Sequence, residues 1–140
     1  MGIWADEWDE VEDWSGGGAR SRRLVGRDAL LGATVYALEP GRFAVYHWHH
    51  GSEELLLVLR GRPTLRTPEG ERQLAEGEAV HFPPGAEGAH GLRNDTEEPV
   101  RYVVAGTRVS PEIVEYPDLG QVTGQSRHGL FFVHDVEEGA

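Results

Sequence analysis

Between about residue 29 and residue 106 the chain is a succession of short apolar or alternating runs, each closed by a glycine or proline turn, and no stretch there sustains helical periodicity. The runs are ALLGATVYAL (29–38), RFAVYHWH (42–49), ELLLVLR (54–60), PTLRT (63–67), ERQLA (71–75), EAVHF (78–82) and VRYVVAG (100–106). Turn signals separate them, among them Pro40-Gly41, Gly51, Gly61-Arg62-Pro63, Gly77 and Pro83-Pro84-Gly85. Short strands at this regular spacing predict an all-β sandwich or barrel. Thr67-Pro68-Glu69-Gly70 predicts a hairpin turn, with proline preset for its second position.

The flanks differ. Residues 1–14 carry six acids and no base, with Trp4 and Trp8 one helical turn apart, and Gly16-Gly17-Gly18 and an arginine-rich stretch follow. The segment reads first as a frayed acidic tail and second as an arm docking its tryptophans on a partner subunit. After residue 106, SPEIVEYPDLGQVTGQSRHG reads as an ordered surface arm with little regular structure, and LFFVHDV (130–136) as a last strand or a segment packed across the barrel. The expected organisation is an acidic tryptophan-containing arm with a Gly/Arg linker over 1–28, a barrel over 29–106 and a C-terminal arm over 107–140.

Absent residue types narrow the chemistry. The 140 residues include no cysteine, and all 13 basic residues are arginine. Thiol nucleophiles, disulfides, Cys-ligated zinc, Schiff-base lysines and a P-loop lysine are therefore excluded. A net charge of −11 argues against nucleic-acid binding. No apolar run approaches the ~18 residues of a membrane span, and the acidic start argues against a signal peptide. A cytoplasmic location is the expectation.

One constellation carries chemistry. His47 and His49, two apart in a predicted strand, project from one face, which Phe43 and Val45 would share as the interior face. Glu54 opens the strongly apolar strand after the next turn, where an unpaired carboxylate facing inward is costly. A cation shared with the two imidazoles removes that cost, and His90 offers a third imidazole. Such a set suits Fe, Mn, Ni, Zn, Cu or Co and leaves octahedral positions open for substrate or water.

The spacing Gly41, five residues, His47, one, His49, four, Glu54, six, Gly61 matches the first motif of the cupin family. A second stretch, Gly77, five residues, Pro83-Pro84-Gly85, His90, three residues, Asn94, resembles the second motif, with four residues rather than the usual two between glycine and histidine. The chain thus resembles a small single-domain bacterial cupin of the conserved-barrel type. The resemblance implies a double-stranded β-helix (jelly-roll) barrel, usually a homodimer, with metal ligands His47, His49, Glu54 and His90. It does not imply a reaction.

Other residues read as scaffold or as weaker candidates. Strand parity sets Glu53 opposite Glu54, His50 reads as an exposed turn residue, and Asn94 as a turn cap. His81 and Tyr102 are the candidate acids or bases, and an inward arginine among Arg60, Arg66 and Arg101 would favour a carboxylate or phosphate substrate. Leu55, Leu57 and Leu59 form an outward apolar row that another layer or subunit must cover. The expected function is a metal-dependent enzyme acting on a small molecule, dioxygenase-, isomerase- or hydrolase-like. The alternative is a non-catalytic metal- or ligand-binding module.

Overall fold

The computed structural model describes residues 2–126 and 129–136; His128, which the sequence leaves without a role, lies outside them. In chain order the strands are β1 (Glu10–Val11), β2 (Arg20–Arg23), β3 (Leu31–Leu38), β4 (Phe43–His49), β5 (Glu54–Arg60), β6 (Thr64–Thr67), β7 (Gly70–Gln73), β8 (Ala79–Phe82), β9 (His90–Arg93), β10 (Val100–Thr107), β11 (Glu112–Tyr116), β12 (Gln121–Ser126) and β13 (Gly129–Asp135). They form two antiparallel sheets, ordered β1-β2-β3-β10-β5-β8 and β13-β12-β11-β4-β9-β6-β7. This is the double-stranded β-helix of a jelly-roll barrel.

Alternation along β5 explains the layering. Leu56 and Val58 are sealed inside, while Leu55 and Leu57 remain 41% and 38% exposed on the outer face. The inner set joins Leu38, Leu65, Leu74, Phe82, Leu92, Val100 and Tyr102 in one core cluster. The Thr67–Gly70 hairpin joins β6 to β7 as expected. At Gly61 φ is +83° and a Cβ would stand 2.7 Å from the Pro99 carbonyl oxygen, so only glycine fits the turn after β5.

The N-terminal segment is not frayed; it is tied to the chain's own barrel. The buried guanidinium of Arg22 donates to the Gly2, Ala5 and Glu7 carbonyls at 2.7–3.1 Å. Arg101, also buried, donates to the Ile3 and Ala5 carbonyls and to Asp6 Oδ1. Trp8 stacks under both arginines, and Trp4 packs against Arg60 and Arg101. Five backbone carbonyl contacts and one carboxylate thereby fix an acidic stretch whose sequence alone reads as solvated.

The stretch after residue 106 is more regular than its composition suggests. β11 pairs with both β4 and β12, and β13 closes that edge as the last strand. Phe43 also departs from parity. The β4–β9 register shifts between Ala44 and His47, a β-bulge that turns Phe43 outward to 38% exposure while Val45 stays buried.

Candidate metal centre

The two sheets bring the four candidate ligands together. β4 of one sheet carries His47 and His49, and β9 of the same sheet carries His90, which is the register partner of His47. Glu54 comes from β5 of the facing sheet. The four residues between Gly85 and His90 do not displace the histidine. Residues Ala86–Gly88 wind into a single 3-10 turn, and the Gly85 amide bonds the His49 carbonyl at 2.8 Å. Gly88 packs so tightly on Pro83 that a Cβ would overlap its carbonyl oxygen at 1.8 Å.

Glu54 Oε1 is the hub. It lies 3.1 Å from His49 Nε2, 3.3 Å from His90 Nε2 and 3.9 Å from His47 Nε2. Donor atoms of His47, His49 and Glu54 all fall within 4.8 Å of one another, a grouping that could hold a metal ion. The backbone fixes two of the imidazoles. Nδ1 of His47 lies 2.9 Å from the Val45 carbonyl, and Nδ1 of His90 lies 2.9 Å from the Gly88 carbonyl. With each Nδ1–H donating outward, each Nε2 keeps its lone pair for the hub.

The electrostatics suit a cation. Burial lowers His47 to about 3, helped by His90, so the ring is neutral and able to ligate. Burial alone would raise Glu54, yet His49 and His90 hold it well below the ordinary carboxylate range. Burial pulls His49 down, but the Glu54 carboxylate outweighs that and raises it. His49 Nε2 and Glu54 Oε1, although only 3.1 Å apart, are buried without a well-formed hydrogen bond among the described residues. Two orphaned polar atoms facing one point are what a bound cation would satisfy, so the residues fit a metal.

Two cavities meet at this point. One, of about 280 Å³, is lined by His49 and Glu54 together with Ser52, Thr107, Arg23 and Arg108. The other, of about 180 Å³, is lined by all four candidate ligands, by Tyr36, Tyr102 and Tyr116, and by Glu12 and Trp14 from the N-terminal segment. Tyr36 and Tyr102 stack face to face, with centroids 5.0 Å apart.

Other sequence candidates fall elsewhere. His81 is exposed on β8, 3.9 Å from exposed Glu53. His50 pairs with Glu115 at 2.6 Å. Asn94 is fully buried and caps its turn, donating to the Leu38 and Glu98 carbonyls and accepting from Thr96. None of Arg60, Arg66 and Arg101 lines either cavity: Arg66 pairs with Asp118 over the Tyr46 ring, and Arg60 and Arg101 face the N-terminal segment.

Sequence reasoning missed Arg108, Glu12 and Glu112, whereas Arg23 belongs to the arginine-rich stretch that the sequence offered as a possible anion binder. Arg108 and Glu12 lie in segments without strand signals of their own. Glu112 is buried and accepts from the Gly51 and Ser52 amides and from Ser52 Oγ, bracing the loop between His49 and Glu54.

The family model for the Cupin domain matches residues 34–106. Among solved structures, a sugar phosphate isomerase from a cupin superfamily of Silicibacter pomeroyi is 28% identical, with a TM-score of 0.76 over 84% of this chain and 76% of that one. A protein of Acidithiobacillus ferrooxidans, provisionally named a sugar phosphate isomerase, is 30% identical, with a TM-score of 0.74 over 86% and 78% of the two chains. The polyketide cyclase RemF of Streptomyces resistomycificus, at 23% identity, a TM-score of 0.57 and 64% coverage of each chain, shares the fold. No curated protein matches the sequence.

Proposed function

The chain belongs to the cupin domain family, and on that premise we propose that it is a metal-dependent enzyme acting on a small phosphorylated molecule, with sugar phosphate isomerisation as the reaction class. His47, His49, Glu54 and His90 hold a divalent transition metal. The observation that carries this reading is the convergence of orphaned His49 Nε2 and Glu54 Oε1 on the Nε2 atoms of His47 and His90, beside open cavity volume. When bound, the metal supplies Lewis acidity at a substrate oxygen.

The chain's own residues supply the rest. Arg23 and Arg108, which line the larger cavity, offer guanidinium donors to an anionic group, and Thr34, Ser52 and Thr107 line the same cavity. Tyr36 and Tyr102, their hydroxyls held protonated by burial, remain neutral hydrogen-bond donors for substrate oxygens. Isomerisation is favoured over oxygenation and hydrolysis because both sugar phosphate relatives align over more than three quarters of their own length. The exposed Leu55 and Leu57 support a homodimer that covers them; a monomer in sedimentation at micromolar concentration would contradict it.

The experiment has two arms. Tag-free protein grown in metal-replete medium is analysed for transition metals beside a His47→Ala/His49→Ala variant. Metal-loaded protein is then incubated with five- and six-carbon aldose and ketose phosphates. One metal per chain that is lost in the variant, with interconversion of one aldose–ketose pair, is the expected result. Absence of metal from the wild type overturns the site. Metal without turnover, but with ligand-induced thermal stabilisation, replaces the enzyme by a non-catalytic binding module.

A further inference from the structure

We propose that Glu12, delivered by the N-terminal segment into the metal cavity, is the general base that moves the substrate proton in this isomerisation, an inference that rests on the reading above. In that step the Glu12 carboxylate takes the proton from the carbon beside the carbonyl. The electron pair of the broken C–H bond becomes the C=C bond of an enediolate as the carbonyl π pair moves onto its oxygen. Return of a proton from Glu12, which exchanges with solvent while the intermediate lasts, to the neighbouring carbon, with the hydroxyl proton passing between the two oxygens, yields the isomeric sugar. Nothing is oxidised overall and no co-reactant is consumed.

Three independent features place Glu12. Its backbone is held on both sides, the amide donating to the Ala19 carbonyl at 2.9 Å and the carbonyl accepting from the Gly18 amide at 3.1 Å. Its side chain lines the 180 Å³ cavity with His47, His49, Glu54 and His90. Its Oε2 is buried and has no hydrogen-bond partner among the described residues. A merely structural carboxylate would be expected to accept hydrogen bonds in that position, because leaving a buried acceptor unpaired costs about 1–3 kcal/mol. Burial, and then the charge of nearby Glu10, raise it to about 7. Both protonation states are therefore populated near neutrality, as a group that alternately takes and returns a proton requires.

The surroundings leave Glu12 suited to that role. From β3, β10 and β11, Tyr36, Tyr102 and Tyr116 face the same space, and the Glu12 charge contributes to keeping their hydroxyls protonated. The candidate metal ligands line the same cavity, and no arginine is among its lining residues. Among the described residues Oε2 of Glu12 thus has neither a salt-bridge partner nor a hydrogen-bond donor. Glu54, by contrast, is held ionised by the two imidazoles within 3.3 Å of its Oε1, which leaves Glu12 as the carboxyl free to exchange protons.

The test follows sugar phosphates in D₂O with protein reconstituted with Mn²⁺, Ni²⁺ or Zn²⁺. NMR reads both aldose–ketose conversion and loss of the proton at the carbon beside the carbonyl. Wild type should do both. Glu12→Gln should slow both by about a hundredfold or more, at unchanged metal content and unchanged sugar phosphate binding, and Glu12→Asp should restore part of the rate. Glu10→Gln should move the ascending limb of the pH profile to lower pH. A ¹³C-carboxyl titration of metal-free protein should contain a resonance titrating near neutrality that Glu12→Gln removes. Conversion without proton exchange, wild-type rates in Glu12→Gln, or a loss of rate that only tracks lost metal or unfolding overturns the role of Glu12 and leaves the isomerase reading standing. Absence of conversion by the wild type across all the sugars overturns the isomerase reading and Glu12 with it.

Discussion

Phe82 lies flat on the His90 imidazole, ring centroids 3.7 Å apart and planes 8° from parallel. The contact joins β8 of one sheet to β9 of the other. With Nδ1 tied to the Gly88 carbonyl and one face covered by Phe82, the ring is held with Nε2 toward Glu54. Phe82→Leu keeps an apolar side chain in the core but removes the flat support. Zn²⁺ affinity by competition titration should fall about tenfold, as expected when an outer-shell partner of a ligand is lost, with a stability loss of about 1–2 kcal/mol. An unchanged affinity would mean that the backbone bond alone orients His90.

Arg101 and Arg22 make the N-terminal segment part of the barrel. Together they donate to four carbonyls, the Ala5 carbonyl twice, and to Asp6. Arg101→Ala should cost about 2–4 kcal/mol, because charge-assisted bonds are lost and the part-buried Ile3 carbonyl loses its Arg101 donor. Hydrogen exchange over residues 2–13 should quicken more than in the strands that flank the metal site. Arg101→Lys should recover only part of the stability, since an ammonium cannot reproduce the fork that spans Ile3, Ala5 and Asp6. Equal exchange in Arg101→Ala and wild type would show the segment to be held by its tryptophans instead.

The legible part of the fold was the part with short-range signals. β3 to β8 and β10 announce themselves by alternation between glycine and proline turns, and His47, His49 and Glu54 by their spacing within them. The N-terminal segment was illegible because its anchors, Arg22 and Arg101, lie far along the chain and act on backbone carbonyls, which carry no sequence signature. Glu12 was hidden for the same reason: only after the segment docks does one of six neighbouring acids enter the cavity. The outward turn of Phe43 reflects a register shift that strand parity does not encode.

Glu112 offers a test in acid. Burial alone would raise its carboxyl, but donation from Ser52 and from the Gly51 and Ile113 amides lowers it below the ordinary value of 4.5. A depressed carboxyl contributes stability that is complete above the unfolded value and is lost as pH falls through the folded one. Glu112→Gln should therefore destabilise by about 1–3 kcal/mol near neutrality, and the gap to wild type should narrow below about pH 4. Urea melts at the two pH values decide it; a gap independent of pH would mean that the charge contributes nothing to bracing the loop.

Glu12 gives the opposite sign. Its folded value of about 7 stands above the unfolded 4.5, so between these limits the folded chain binds the extra proton. The stability linked to that proton is fully present below 4.5 and is lost as pH rises through about 7. Above it, wild type carries a buried carboxylate oxygen without a partner, whereas glutamine at the same position is neutral at every pH. In metal-free protein Glu12→Gln should match wild type near pH 4 and exceed it by about 1–3 kcal/mol near pH 8. The two stability curves should diverge chiefly between 4.5 and about 7, where the unfolded chain has lost the proton that the folded chain keeps. Parallel curves over that range would place the Glu12 carboxyl in water, outside the cavity, and remove the physical basis for its role as a base.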